Sequence, residues 1–71
     1  LSQNDINESI SLFIKAYEKD KSRIDILEEA ANLSLRSRQL EKARNLYKQL
    51  IDIDMNNSYY LSTYIDLNFL S

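Results

Sequence analysis

"LEKARNLYKQLIDIDMNN", Leu40 to Asn57, reads as an amphipathic helix running into a polar turn, and an echo of it, "INESISLFIKAYEKDKSR", Ile6 to Arg23, lies 34 residues upstream. In the later copy Leu40, Ala43, Tyr47, Leu50 and Ile51 recur at three- and four-residue spacing, with Leu46 at the margin of the stripe. Lys42, Asn45, Lys48, Gln49 and Asp52 fall on the side that faces water. This predicts a helix over 39–53, closed by "DMNNS", whose Asn pair tolerates turn geometries that most residues resist. In the earlier copy Ile6, Ile10, Phe13 and Tyr17, with Ala16 beside them, predict a helix over 5–19.

Between the two copies, "DKS" breaks the first stripe, and Ser22 reads as an N-cap with Asp25 three positions on, a shortened capping box. A second helix over 23–36 then carries Ile24, Leu27, Ala30, Ala31 and Ser34 on one side, and "RSRQ" turns the chain into the third. The fourth segment, "SYYLSTYIDLNFLS", is ambiguous by itself. Tyr60, Tyr64 and Leu67 make a helical stripe, widened by Leu61 and Ile65, yet Leu61, Thr63, Ile65, Leu67 and Phe69 alternate as a strand would.

The repeat resolves it. Shifted by 34 residues, Ile6 meets Leu40, Ser9 meets Ala43, Leu12 meets Leu46 and Phe13 meets Tyr47. Asp20 meets Asp54, Leu27 meets Leu61, Leu33 meets Leu67 and Leu1 meets Leu35. An unrelated four-helix bundle would show the stripes without this period. The period implies a stacked array of helix pairs, and the fourth segment is read as helix.

Composition agrees with an all-α chain. Among 71 residues there is no Gly and no Pro, the usual residues of tight hairpin turns, and there is no Cys and no His. Without them the chain has no disulfide framework, no thiolate metal site and no imidazole base. A net charge of −2, from 9 basic and 11 acidic residues, argues against bulk attraction to nucleic acid or anionic membrane. No apolar run approaches the roughly 20 residues of a membrane span. No nucleophile stands beside a base, and Glu28 and Glu29 point about 100° apart on a helix, the wrong geometry for paired acid–base work. The expectation is a soluble, non-enzymatic chain without cofactor or metal, with a cytoplasmic setting favoured.

The chain resembles the tetratricopeptide repeat, a helix–turn–helix unit of 34 residues. "ARNLY" places Ala43 and Tyr47 at the family's Ala-x3-Phe spacing; Leu27, Ala30, Ala31 and Ser34 stand on the other helix of the unit, and Ser9, Phe13 and Ala16 echo the motif upstream. The departures are Leu27 for the usual Trp, Ser34 for Tyr, Met55 for Pro, Arg38 where Gly commonly turns the chain, and large Leu50 and Ile65 where small residues are preferred. The resemblance implies one segment over 1–71: a second-type helix of a preceding repeat at 5–20, one complete repeat at 23–54, and a first-type helix of a following repeat at 57–71. Starting at Leu and with both outer units incomplete, it reads as a piece of a longer solenoid.

That resemblance implies a protein–protein interaction scaffold or adaptor, whose first-type helices line a concave groove for another protein or peptide. Carried over position by position, the lining is Asp25, Glu28, Glu29, Asn32 and Arg36, followed by Tyr59, Ser62, Thr63 and Asp66. Family members that hold a carboxylate terminus do so with Lys, Arg and Asn; only Asn32 matches, so a basic or neutral ligand is expected. The plainer reading of Asp25, Glu28 and Glu29 is that they favour the helix N-terminus and stay solvated. The alternative function is assembly, through adjoining repeats or a second copy, with Tyr60, Tyr64, Leu67 and Leu70 as the face. A third is RNA or an acidic partner on Arg36, Arg38, Lys42, Arg44 and Lys48, but the aromatic platforms of single-strand binding are missing. The plain reading of that cluster is a solvated face.

Overall fold

In the computed structural model, which describes residues 3–70, the chain forms four helices: α1 Gln3–Lys19, α2 Ile24–Arg36, α3 Leu40–Ile53 and α4 Ser58–Leu70. The expected alignment of Leu1 with Leu35, and the last position of the fourth segment, Ser71, lie outside the described residues. The period is written into the element ends: α2 and α4 start at 24 and 58 and finish at 36 and 70, and α1 and α3 finish at 19 and 53, each pair 34 apart. The fourth segment is helical, although its β-branched and aromatic residues alternate. Packing against α3 outweighs a propensity worth at most ~1 kcal/mol.

Each helix packs on its neighbours in sequence, α1 on α2, α2 on α3 and α3 on α4, and among the described residues no other pair of backbones meets. The result is a slab 32 × 29 × 13 Å, about one helix thick. Its core holds Tyr17, Leu27, Ala30, Ala31, Ala43, Leu46, Tyr47, Leu50, Tyr60 and Leu67. Leu46, expected at the margin, is buried, because α3 has a helix on either side and uses more of its circumference than a one-sided stripe predicts. Ala30, Ala31, Ser34 and Ala43 are fully enclosed, and such small side chains let the α2 and α3 backbones approach closely. Ser34 satisfies its hydroxyl within its own helix, donating to the Ala30 carbonyl at 2.8 Å.

Two of the three turns repeat as well. The Asp20 N–H reaches the Ala16 carbonyl at 3.3 Å and the Asp54 N–H the Leu50 carbonyl at 2.9 Å. Arg23 N–H then donates to Asp20 O at 3.1 Å, and Asn57 N–H to Asp54 O at 3.2 Å. The caps differ. Ser22 is not the N-cap of α2; its N–H and hydroxyl both turn back to Asp20 Oδ1, at 3.2 and 2.6 Å, which holds the Asp20 carboxyl below its ordinary range. Arg23 occupies the cap position without a side-chain cap bond, and its guanidinium instead grips both oxygens of Asp25 at 3.1 and 3.0 Å. At the equivalent place before α4, Asn57 Oδ1 accepts the Tyr60 N–H at 3.1 Å, a true side-chain cap.

The α2–α3 turn is different in kind. Arg38 has φ 64°, the only positive φ among the described residues, so it takes the left-handed conformation that glycine adopts without cost. The Asn56–Asn57 pair does not use that region; "DMNN" turns with ordinary backbone angles.

Candidate functional site

The expected groove residues separate into those fixed by neighbours and those open to a ligand. Asn32, half-buried on α2, accepts the Tyr47 hydroxyl at 2.5 Å and lies 3.5 Å from the Tyr59 hydroxyl, so one carboxamide oxygen joins α2, α3 and α4. One turn nearer the start of α2, the Tyr60 hydroxyl donates to Glu28 Oε2 at 2.5 Å. Since the α2 and α4 backbones do not meet, these long tyrosine side chains are what bridge them. The three rings pack mutually, with centroids 6.2 to 6.3 Å apart and Tyr47 meeting Tyr59 edge-on.

Electrostatics follow from that cluster. Burial, and then the Glu28 carboxylate accepting its proton, pushes the Tyr60 hydroxyl up to about 12. Burial first, and the Tyr59 hydroxyl alongside it second, pushes Tyr47 up further. Both are therefore neutral donors at physiological pH, locked to acceptors on α2. Asp25 sits at the start of α2, exposed and paired with Arg23, whose guanidinium holds its carboxyl low.

Beside the lock lies a shallow cleft of about 290 Å³, lined by Glu29, Asn32, Leu35, Arg36 and Tyr59. Four of these were anticipated in the sequence; Leu35 was not. Its signal is that it stands three residues after Asn32 and so shares that side of the helix. Ser62, Thr63 and Asp66 do not line the cleft, although helical spacing places them on the side of α4 that begins at Tyr59. The four residues expected to form an assembly face divide. Tyr60 and Leu67 are buried in the core against α3, Tyr64 is half-buried beside them, and Leu70 is exposed. The reason is directional: α3 claims the Tyr60–Tyr64–Leu67 stripe, and the apolar residues left outside are Leu61, Ile65, Phe69 and Leu70.

The basic cluster does not gather into one site: Arg36 belongs to the cleft, Arg38 to the turn, and Lys42 to a separate depression with Gln39, Leu40, Glu41 and Asn45. Among the described residues no group of three or more acidic side chains is placed to hold a metal ion. Nor is any helix among them long and apolar enough to cross a membrane.

With the period in both sequence and element ends, comparison with known families is decisive. A sequence profile described as the tetratricopeptide repeat matches residues 1–64. The chain belongs to the tetratricopeptide repeat family. No curated protein and no solved structure matches it. Tetratricopeptide repeats mediate protein–protein interaction and scaffolding, on a repeat architecture that is not itself catalytic. In that frame α2 and α3 are the two helices of one repeat, α1 is a second-type helix and α4 a first-type helix. The cleft therefore lies between first-type helices of successive tetratricopeptide units.

Proposed function

We propose that this chain is an interaction module whose α2–α4 face docks an extended, basic or neutral segment of another protein. The observation that carries the reading is the cleft between Glu29, Asn32, Leu35, Arg36 and Tyr59, seated on a tyrosine–carboxamide lock. A lining held in place before the ligand arrives loses little entropy on binding. Tyr59, 54% exposed at the rim, is the residue type that dominates binding energy when a partner covers it. Glu29 and Asp66 are exposed acids near this face, with Arg36 the one opposing charge, and Asp25 is already neutralised by Arg23. That balance favours cationic or uncharged peptides.

The test is fluorescence anisotropy with basic, neutral and acidic peptides of one length. Glu29→Lys is preferred over any change at Glu28, because Glu28 holds Tyr60 and its loss would disturb the fold. Reversing one exposed charge removes an attraction and adds a repulsion, each worth ~0.5 kcal/mol, so a basic peptide should weaken by about fivefold and an acidic one should gain. Equal affinities for all three peptides before and after the substitution would remove the acidic-groove reading.

A further inference from the structure

The 34-residue equivalence allows the joint between the two helices of the repeat to be identified by subtraction. Leu27 and Ala31 on α2 are 1% and 0% exposed, but their counterparts on α4, Leu61 and Ile65, are 38% and 53% exposed. α2 has α3 as an additional neighbour and α4 has none after it among the described residues, so Leu27 and Ala31 are the positions that α3 covers. The same comparison works from the other side. Leu46 and Leu50 on α3 are 3% and 0% exposed, whereas their counterparts on α1 are Leu12, 59% exposed, and Ala16, also exposed. α1 lacks the first-type neighbour that α3 finds in α2, so Leu46 and Leu50 are the positions that α2 covers.

The two outer faces are thus the two halves of one joint. α4 presents the half that α2 gives to α3, and α1 presents the half that α3 gives to α2. Their volumes also balance: Leu50 becomes the small Ala16 on α1, while Ala31 becomes the large Ile65 on α4, so one large residue moves across the joint and the apolar filling is kept. Charge agrees in sign. α4 carries no basic residue and exposes Asp66, whereas the groove around Leu12 and Ala16 is flanked by Lys15 and Lys19 with one opposing acid, Glu18.

We infer that copies of this chain associate head to tail, α4 of one copy docking on α1 of the next to complete a helix pair in the manner of α2 and α3. The occupant of the α4 face is a second copy, and the contact is heterologous: each copy uses a different surface at each end, so the assembly is open-ended unless it curves back on itself. This surface lies on the outer sides of α1 and α4, away from the α2–α4 cleft, and does not depend on peptide docking there.

The heterologous geometry gives a sharp test by sedimentation equilibrium of the 71-residue chain, with helical circular dichroism as the check on folding. The parent should gain mass beyond a dimer as concentration rises. Leu12→Lys spoils one face and Ile65→Lys the other, both at exposed positions, so each variant alone should be a folded monomer. Mixed together they should form a 1:1 dimer and stop, because the intact α4 of the Leu12→Lys chain meets the intact α1 of the Ile65→Lys chain. Should Leu12→Lys lose helical signal, Ala16→Arg on the same face replaces it. A parent that stays monomeric at every concentration overturns the inference. So does a Leu12→Lys chain that still dimerises, which would mean α4 pairing with itself, or a mixture that stays monomeric.

Discussion

Replacing Asn32 by Ala should do opposite things in two backgrounds, and that reversal tests the tyrosine–carboxamide lock. In the parent chain the Tyr47 ring is fully enclosed, and its hydroxyl has Asn32 Oδ1 as its acceptor. Removing that acceptor strands a buried donor, at a cost of about 1–3 kcal/mol. Ala is the better helix former by ~0.5 kcal/mol, so the net loss is ~1–2 kcal/mol. Against the ~4–10 kcal/mol typical of a chain of 71 residues, that is a sizeable fraction. With a urea m-value of ~1 kcal/mol/M, the midpoint should fall by ~1–2 M. Tyr47→Phe alone should cost less, ~0.5–1.5 kcal/mol, because Asn32 is half-exposed and keeps Tyr59 and water as partners. In the Tyr47→Phe background no hydroxyl is left to strand, and Asn32→Ala should become neutral or slightly stabilising. The cycle, read by urea unfolding at 222 nm, should therefore return ~1–2 kcal/mol of coupling. Tyr59→Phe is the control: at 54% exposure its hydroxyl exchanges Asn32 for water with little loss. Equal destabilisation by Asn32→Ala in both backgrounds would falsify the lock.

Three further outcomes follow from the turns and the tyrosines. Arg38→Gly should stabilise by ~0.5–1 kcal/mol, the left-handed penalty less the entropy of glycine, raising the melting temperature by ~2–8 °C; an unchanged or lower value would place the strain elsewhere. Asn57→Ala should cost ~1 kcal/mol through loss of the α4 cap, seen as faster amide exchange in the first turn of α4, whereas Ser22→Ala should leave α2 exchange unchanged because Ser22 serves Asp20. Alkaline stability should fall as pH rises from 10 toward 12. Tyr60, ordinarily 10.0, is raised to about 12 in the folded chain and Tyr47 is raised too, so the unfolded chain releases these protons first and their contribution, intact below pH 10, is lost through that window. Tyrosinate absorbance followed with circular dichroism checks this, and Tyr60→Phe should flatten the slope.

The helical stripes, the period and the fold were legible because core-facing positions on α1 to α3 are separated from charged ones by regular spacing. Tyr17 and Tyr47 could be assigned to the core from that spacing alone, and both are buried. Other features were hidden for physical reasons. α4 is apolar nearly all round, so its composition does not say which side meets α3, and Tyr60 and Leu67 could not be told from Leu61 and Ile65 without the packing. The cap of α2 was misplaced because Asp20, two residues before Ser22, competes for its hydroxyl and wins. Most of the site's geometry rests on hydrogen bonds from Asn32 and Glu28 to residues 15 to 32 positions away, which local pattern does not encode. Leu35, by contrast, was available from helical spacing with Asn32.

The most direct test of the account is a map of where a basic peptide perturbs the amide resonances of the isotopically labelled chain. The docking reading predicts shifts concentrated at Glu29, Asn32, Leu35, Arg36 and Tyr59, continuing along α4 toward Asp66, and fading as salt is raised. Shifts centred instead on Lys42 and Asn45 of α3, or none while an acidic peptide binds, would contradict it.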